Sequence, residues 1–149
     1  MANADQSKRF AICALAALLA ASPAPAQTTT GATGAMTGMR GAVKVTFAPQ
    51  NNSGETGVGY LMADGTRTKV MLALKGAPSG AQPVHIHPGT CAKLGAKPAY
   101  SLSDVVNGKS NSEIDVPLAK LLASSFAINV HGSASEMLNV SCADISAGT

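Results

Sequence analysis

Residues 126–131 read Phe126-Ala127-Ile128-Asn129-Val130-His131, and their alternation decides the fold class. Successive side chains of an extended chain point to opposite faces, so Phe126, Ile128 and Val130 share one side and Ala127, Asn129 and His131 the other. The same period of two recurs upstream. Val43, Val45 and Phe47 alternate with Lys44 and Thr46, and Val70, Leu72 and Leu74 line one face of residues 66–75. Further strands are expected over residues 57–62, 83–87, 112–116 and 138–145. Asn51-Asn52-Ser53-Gly54, Asp64-Gly65 and Gly76-Ala77-Pro78-Ser79-Gly80 are turn clusters between them. Residues 117–124 have room for one or two helical turns behind Pro117. Residues 88–111 hold Gly89, Gly95, Pro98 and Gly108 and read as one long loop, with Cys91 as its tie. Seven or so short strands at this spacing predict an antiparallel sandwich or barrel.

The chain has 149 residues, the length of one domain. Residues 1–26 have the layout of a secretory signal peptide. Lys8 and Arg9 are followed by an apolar run from Phe10 to Ala21, and Ala24-Pro25-Ala26 supplies a small-x-small cleavage pattern. That run is too short to span a bilayer, and no other segment is apolar for long enough. Residues 27–41, rich in Thr, Gly and Ala, are expected as a flexible lead. Residues 42–149 form the single β-domain. The expected destination is the periplasm or the exterior.

Removal of the signal peptide takes Cys13 with it and leaves Cys91 and Cys142. An even number of cysteines in an exported chain reads as a disulfide. From residue 27 onward the chain carries nine basic and seven acidic residues, scattered along its length. It has no Trp and few aromatic residues. Nothing in it offers the basic patch or the stacking platform that nucleic-acid binding needs. No Gly-x-Ser-x-Gly elbow and no phosphate-binding glycine loop is present.

The chain has three histidines, His85, His87 and His131. His85 and His87 are two residues apart on an expected strand, so they share a face, while Val84 and Ile86 take the other. His131 ends another strand, on the face opposite Phe126, Ile128 and Val130. A sandwich can bring that end beside the pair. Three imidazoles suit Cu(II), or Zn(II) with an open position. An H-x-H pair on a strand also occurs as a simple polar outer face, so spacing leaves both readings open.

Val84-His85-Ile86-His87-Pro88-Gly89-Thr90-Cys91 resembles the segment of copper–zinc superoxide dismutases that carries two copper histidines, then a glycine and a disulfide cysteine. Asn129-Val130-His131-Gly132 is similar to that family's later copper-ligand strand. Ser141-Cys142-Ala143-Asp144-Ile145 is similar to the strand with the second cysteine. The three segments occur in the family's order and cover the C-terminal half. The resemblance implies an all-β fold, an antiparallel Greek-key β-sandwich of about seven to eight strands. It also implies a Cys91–Cys142 bridge, and copper held by His85, His87 and His131.

The chain departs from that family in its long loop. Residues 92–111 contain no histidine, and Asp104 is their only carboxylate. The bridging histidine, the further zinc histidines and the zinc aspartate are therefore missing, and no family-type zinc site is expected. Asn139 stands where the family places the arginine that attracts and orients superoxide. Glu136 and Lys109 are the charges considered in its stead. A looser resemblance, carried by Val84–His87 and Ile128–His131, is to chordin-type domains. Three functions are thus open: a copper-binding module for storage, delivery or protection; a copper-only superoxide dismutase or other copper redox enzyme; and a metal-free structural or protein-interaction module.

Overall fold

The structure is a computed structural model that describes residues 41–146. The expected signal peptide over residues 1–26, and all but the last residue of the expected lead over 27–41, lie outside the described residues.

The described residues form β1 (Val43–Pro49), β2 (Thr56–Asp64), β3 (Arg67–Lys75), β4 (Gln82–Thr90), β5 (Lys93–Leu94), β6 (Tyr100–Val105), β7 (Lys109–Ile114), α1 (Leu118–Leu122), β8 (Phe126–His131) and β9 (Asn139–Ile145). All pairings are antiparallel. One layer runs β1-β2-β3-β7 and the other β6-β4-β8-β9. β1 belongs to both layers. Its residues 43–47 pair with β2, and its last two, Ala48 and Pro49, pair with Cys142 and Ser141 of β9. The sheet therefore curls back on itself. The link from β3 to β4 and the link through α1 from β7 to β8 both cross between layers, which are Greek-key connections.

Strand composition explains the layers. In β3 the buried positions are Thr68, Val70, Leu72 and Leu74, in strict alternation with exposed neighbours. Leu61, Val70, Ile86, Ile128 and Val130 have no exposed surface and meet between the layers. Full burial of one such side chain contributes roughly 1.5–3 kcal/mol. The buried hydroxyl of Thr68 donates to the Val116 carbonyl at 2.6 Å, so it adds no unpaired polar atom to the core. Leu118 and Leu121 of α1 join the same core.

The long loop expected over residues 88–111 is not a loop. It contains β5, β6 and the first half of β7. Asn107 and Gly108 both take positive φ, 50° and 74°. Val106 and Lys109 pair across them, which makes a two-residue turn of the type that joins tightly twisted strands. β6 carries only Leu102 and Val105 as buried apolar residues, and its pairing with β4 shifts between Gln82 and Val84. Its alternation is broken for that reason. No helix among the described residues is long and apolar enough to cross a membrane.

Candidate metal centre

The three histidines converge on the outer face of the second layer. β4 and β8 pair side by side, with His85 opposite Asn129 and His87 opposite Ala127. Val84, Ile86, Ile128 and Val130 point the other way, into the core. His131 closes β8, where the pairing with β9 shifts register between Val130 and His131. The ring centroids of His85 and His131 are 5.2 Å apart, those of His85 and His87 6.0 Å, and those of His87 and His131 6.4 Å. One ring nitrogen from each comes within 4.8 Å of the other two. Donors on a single tetrahedral ion are about 3.3 Å apart at ordinary metal–nitrogen lengths, so small ring rotations bring the three into range.

An outer face would normally be wet, yet His87 is 8% and His131 6% exposed. Over His87 the chain folds back as a hairpin of β4 and β5 pinned by a disulfide, and the segment between β8 and β9 meets His131 through Met137. Gly89, with φ 99°, turns the chain back, and Gly89 and Thr90 pair with Leu94 and Lys93. At the hairpin tip Cys91 is bonded to Cys142 of β9. β8 lies between β4 and β9, so the hairpin spans the face of β8. The Cys91 amide donates to Asp144 Oδ1 at 2.6 Å, and the Gln50 side chain donates to the Cys91 carbonyl at 3.3 Å. Such a bridge is compatible with an oxidising compartment.

Two backbone carbonyls orient the rings. His87 Nδ1 lies 2.8 Å from the Gly95 carbonyl oxygen, and His131 Nδ1 lies 3.0 Å from that of Met137. A carbonyl only accepts, so each Nδ1 carries a proton, and in the neutral ring Nε2 then carries the lone pair. His87 Nε2 is buried without a partner among the described residues, and so is His85 Nδ1. A buried polar atom left unpaired costs roughly 1–3 kcal/mol. A metal ion is the partner whose chemistry suits lone pairs on neutral imidazoles. A ring N–H held by a backbone carbonyl is the usual outer support of a metal-binding histidine.

Electrostatics act in the same direction. Burial pushes the His85 pKa below its ordinary value, the neighbouring His131 and His87 push it further, and Asp104 opposes them. Burial also lowers His131, against the hydrogen bond to Met137, and His87 adds to the lowering. Both shifts favour the neutral imidazole. Three histidines this close together can hold a metal ion. Among the described residues they are the group of His, Cys, Asp and Glu side chains that can do so.

The remaining residues of interest lie as follows. Asp104 sits on β6, and Lys109 on β7 in the other layer. Glu136 lies in the turn after β8, where its amide donates to Ser133 Oγ at 3.2 Å. Asn139 accepts a hydrogen bond at 2.7 Å from the buried Asn129. Sequence reading did not single out Asn129, although one amide within Ala127-Ile128-Asn129-Val130 was visible there. No family model, no curated protein and no solved structure matches this chain.

Proposed function

We propose that this chain is an exported, superoxide dismutase-like β-sandwich that binds one copper ion through His85, His87 and His131, without the family's zinc site, and stores, delivers or sequesters it. The observation that carries this reading is the pair of buried, unpartnered imidazole nitrogens, His85 Nδ1 and His87 Nε2. They stand in a cluster with His131, and burial favours the neutral form of His85. The Greek-key crossings and the Cys91–Cys142 bridge support the family reading. Among divalent first-row ions, nitrogen sites bind Cu(II) most tightly, which favours copper over zinc.

A bound copper ion supplies a one-electron couple. The chain's own residues supply three imidazole donors, carbonyls that fix two of the rings, and a hairpin that folds over His87. They supply no cationic side chain at the position of Asn139, whose amide is engaged with Asn129. Attraction of a small anion needs such a charge, so the arrangement favours holding the ion over turnover.

Metal content and electron paramagnetic resonance on purified protein, exposed to Cu(II) and desalted, test the reading. The expected result is about one copper per chain with a nitrogen-rich Cu(II) spectrum. Folded, disulfide-bonded protein that retains no copper would refute it, and so would full retention by the His85→Ala variant.

A further inference from the structure

Asn129 has no exposed surface. Its place in the ladder is between His85 on β4 and Cys142 on β9, and His131 lies two residues further along the same face. Its amide nitrogen is 3.3 Å from His131 Nε2 and 2.7 Å from Asn139 Oδ1. Its carboxamide oxygen is buried and has no partner among the described residues. A buried amide with one empty acceptor end is an expensive choice for a strand whose neighbours are Ala127, Ile128 and Val130.

We propose that Asn129 is the fourth donor of this centre, giving its carboxamide oxygen to the ion that the three histidines bind. The inference rests on the three-histidine reading above. His131 Nε2 has to offer its lone pair to the ion, because Nδ1 is committed to Met137. The Asn129 N–H then loses its acceptor and faces a cation. A half-turn of the carboxamide exchanges nitrogen for oxygen at that place, so that the oxygen faces the ion and the N–H₂ takes the buried position the oxygen leaves. Asn139 can turn with it, since a carboxamide donates at one end and accepts at the other. Three imidazoles and one neutral oxygen form a set suited to Cu(II) or Zn(II) and poor for Cu(I), which prefers soft donors. The fourth position is then closed to water and to small anions.

The test is Cu(II) electron paramagnetic resonance of the full protein in H₂¹⁷O, on the parent, Asn129→Ala and Asn129→Asp. The parent is expected to show no ¹⁷O broadening from a directly bound water. Asn129→Ala is expected to show it, with Cu(II) affinity lower by about ten- to a hundredfold, while still holding one copper on three imidazoles. Asn129→Asp keeps an oxygen and is expected to exclude water as the parent does, which decides the matter should the alanine variant fold poorly. Broadening in the parent, or a spectrum unchanged in Asn129→Ala, overturns the assignment and leaves the three-histidine site intact. A parent that retains no copper overturns both.

Discussion

The imidazole of His87 donates from Nδ1 to the carbonyl of Gly95 across 2.8 Å, and that carbonyl belongs to the hairpin segment tied to β9 by Cys91 and Cys142. The disulfide thus acts on the site through a backbone oxygen eight residues from the histidine it orients. The bridge closes a loop of sequence separation 51, which in the chain-entropy treatment is worth about 4 kcal/mol.

Replacement of both cysteines by serine is accordingly expected to lower unfolding stability by about 2–5 kcal/mol. It is also expected to weaken metal retention in protein that is still folded. Chemical denaturation and metal titration of the same samples separate the two effects. Undiminished metal affinity in the folded variant would show that the hairpin does not orient His87.

His85→Ala is expected to abolish metal retention with little loss of metal-free stability. The ring removed carries a buried nitrogen with no partner, so its deletion relieves a penalty of roughly 1–3 kcal/mol that offsets the lost packing. Denaturation midpoints of parent and variant, with and without metal, are the measurement. A metal-induced stabilisation that survives in the variant would count against His85 as a ligand.

Acid is expected to act on the metal-free protein in a defined window. Burial holds His85 and His131 below the ordinary imidazole value of 6.5. Near and below that value the unfolded chain therefore binds more protons than the folded one. Stability is fully present above pH 6.5 and falls as pH drops from there through the lowered folded values. Metal retention falls in the same direction, because protons compete for the same nitrogens. Denaturant midpoints across this range should decline less steeply in a His85→Ala, His131→Ala double variant than in the parent. Parallel declines would assign the acid sensitivity to other groups.

Gly108→Ala is expected to destabilise the fold. Gly108 has φ 74°, and an added Cβ would stand 2.5 Å from the Leu74 carbonyl oxygen. A left-handed backbone at a non-glycine residue costs about 1–3 kcal/mol before any steric shift. Thermal unfolding reads the effect, and metal binding at low temperature should be unchanged, because the turn belongs to β6 and β7. A variant as stable as the parent would mean that the turn relaxes freely.

Much of this was legible in the residues. The alternation in residues 43–47, 66–75 and 126–131 reads directly as half-buried strands, since one face meets the core and the other meets water. The shared face of His85 and His87 follows from the same period. β6 and its tight turn into β7 were harder to see, because β6 has few apolar residues and a shifted register. The Asn107-Gly108 turn was its one clear local signal. The supports from Gly95 and Met137 were not legible at all. They are backbone carbonyls, which every residue possesses, so only the folded path of the chain selects them. Asn129 was overlooked for a different cause: its meaning lies in its neighbours across the sheet, not in its own strand.

The seam between β6 and β7 bears on how this protein behaves among many copies of itself. The amide of Ser103 on β6 donates to Ser112 Oγ at 2.8 Å, and its carbonyl accepts from Ser110 Oγ at 2.6 Å. Both serines belong to β7, so hydroxyl groups occupy polar atoms that a bare strand edge would present to a passing chain. β1 joins the layers on the far side, so the seam between β6 and β7 is where the curled sheet has its open edges. Two hydroxyls of β7 thereby guard the backbone of Ser103 against pairing with another chain.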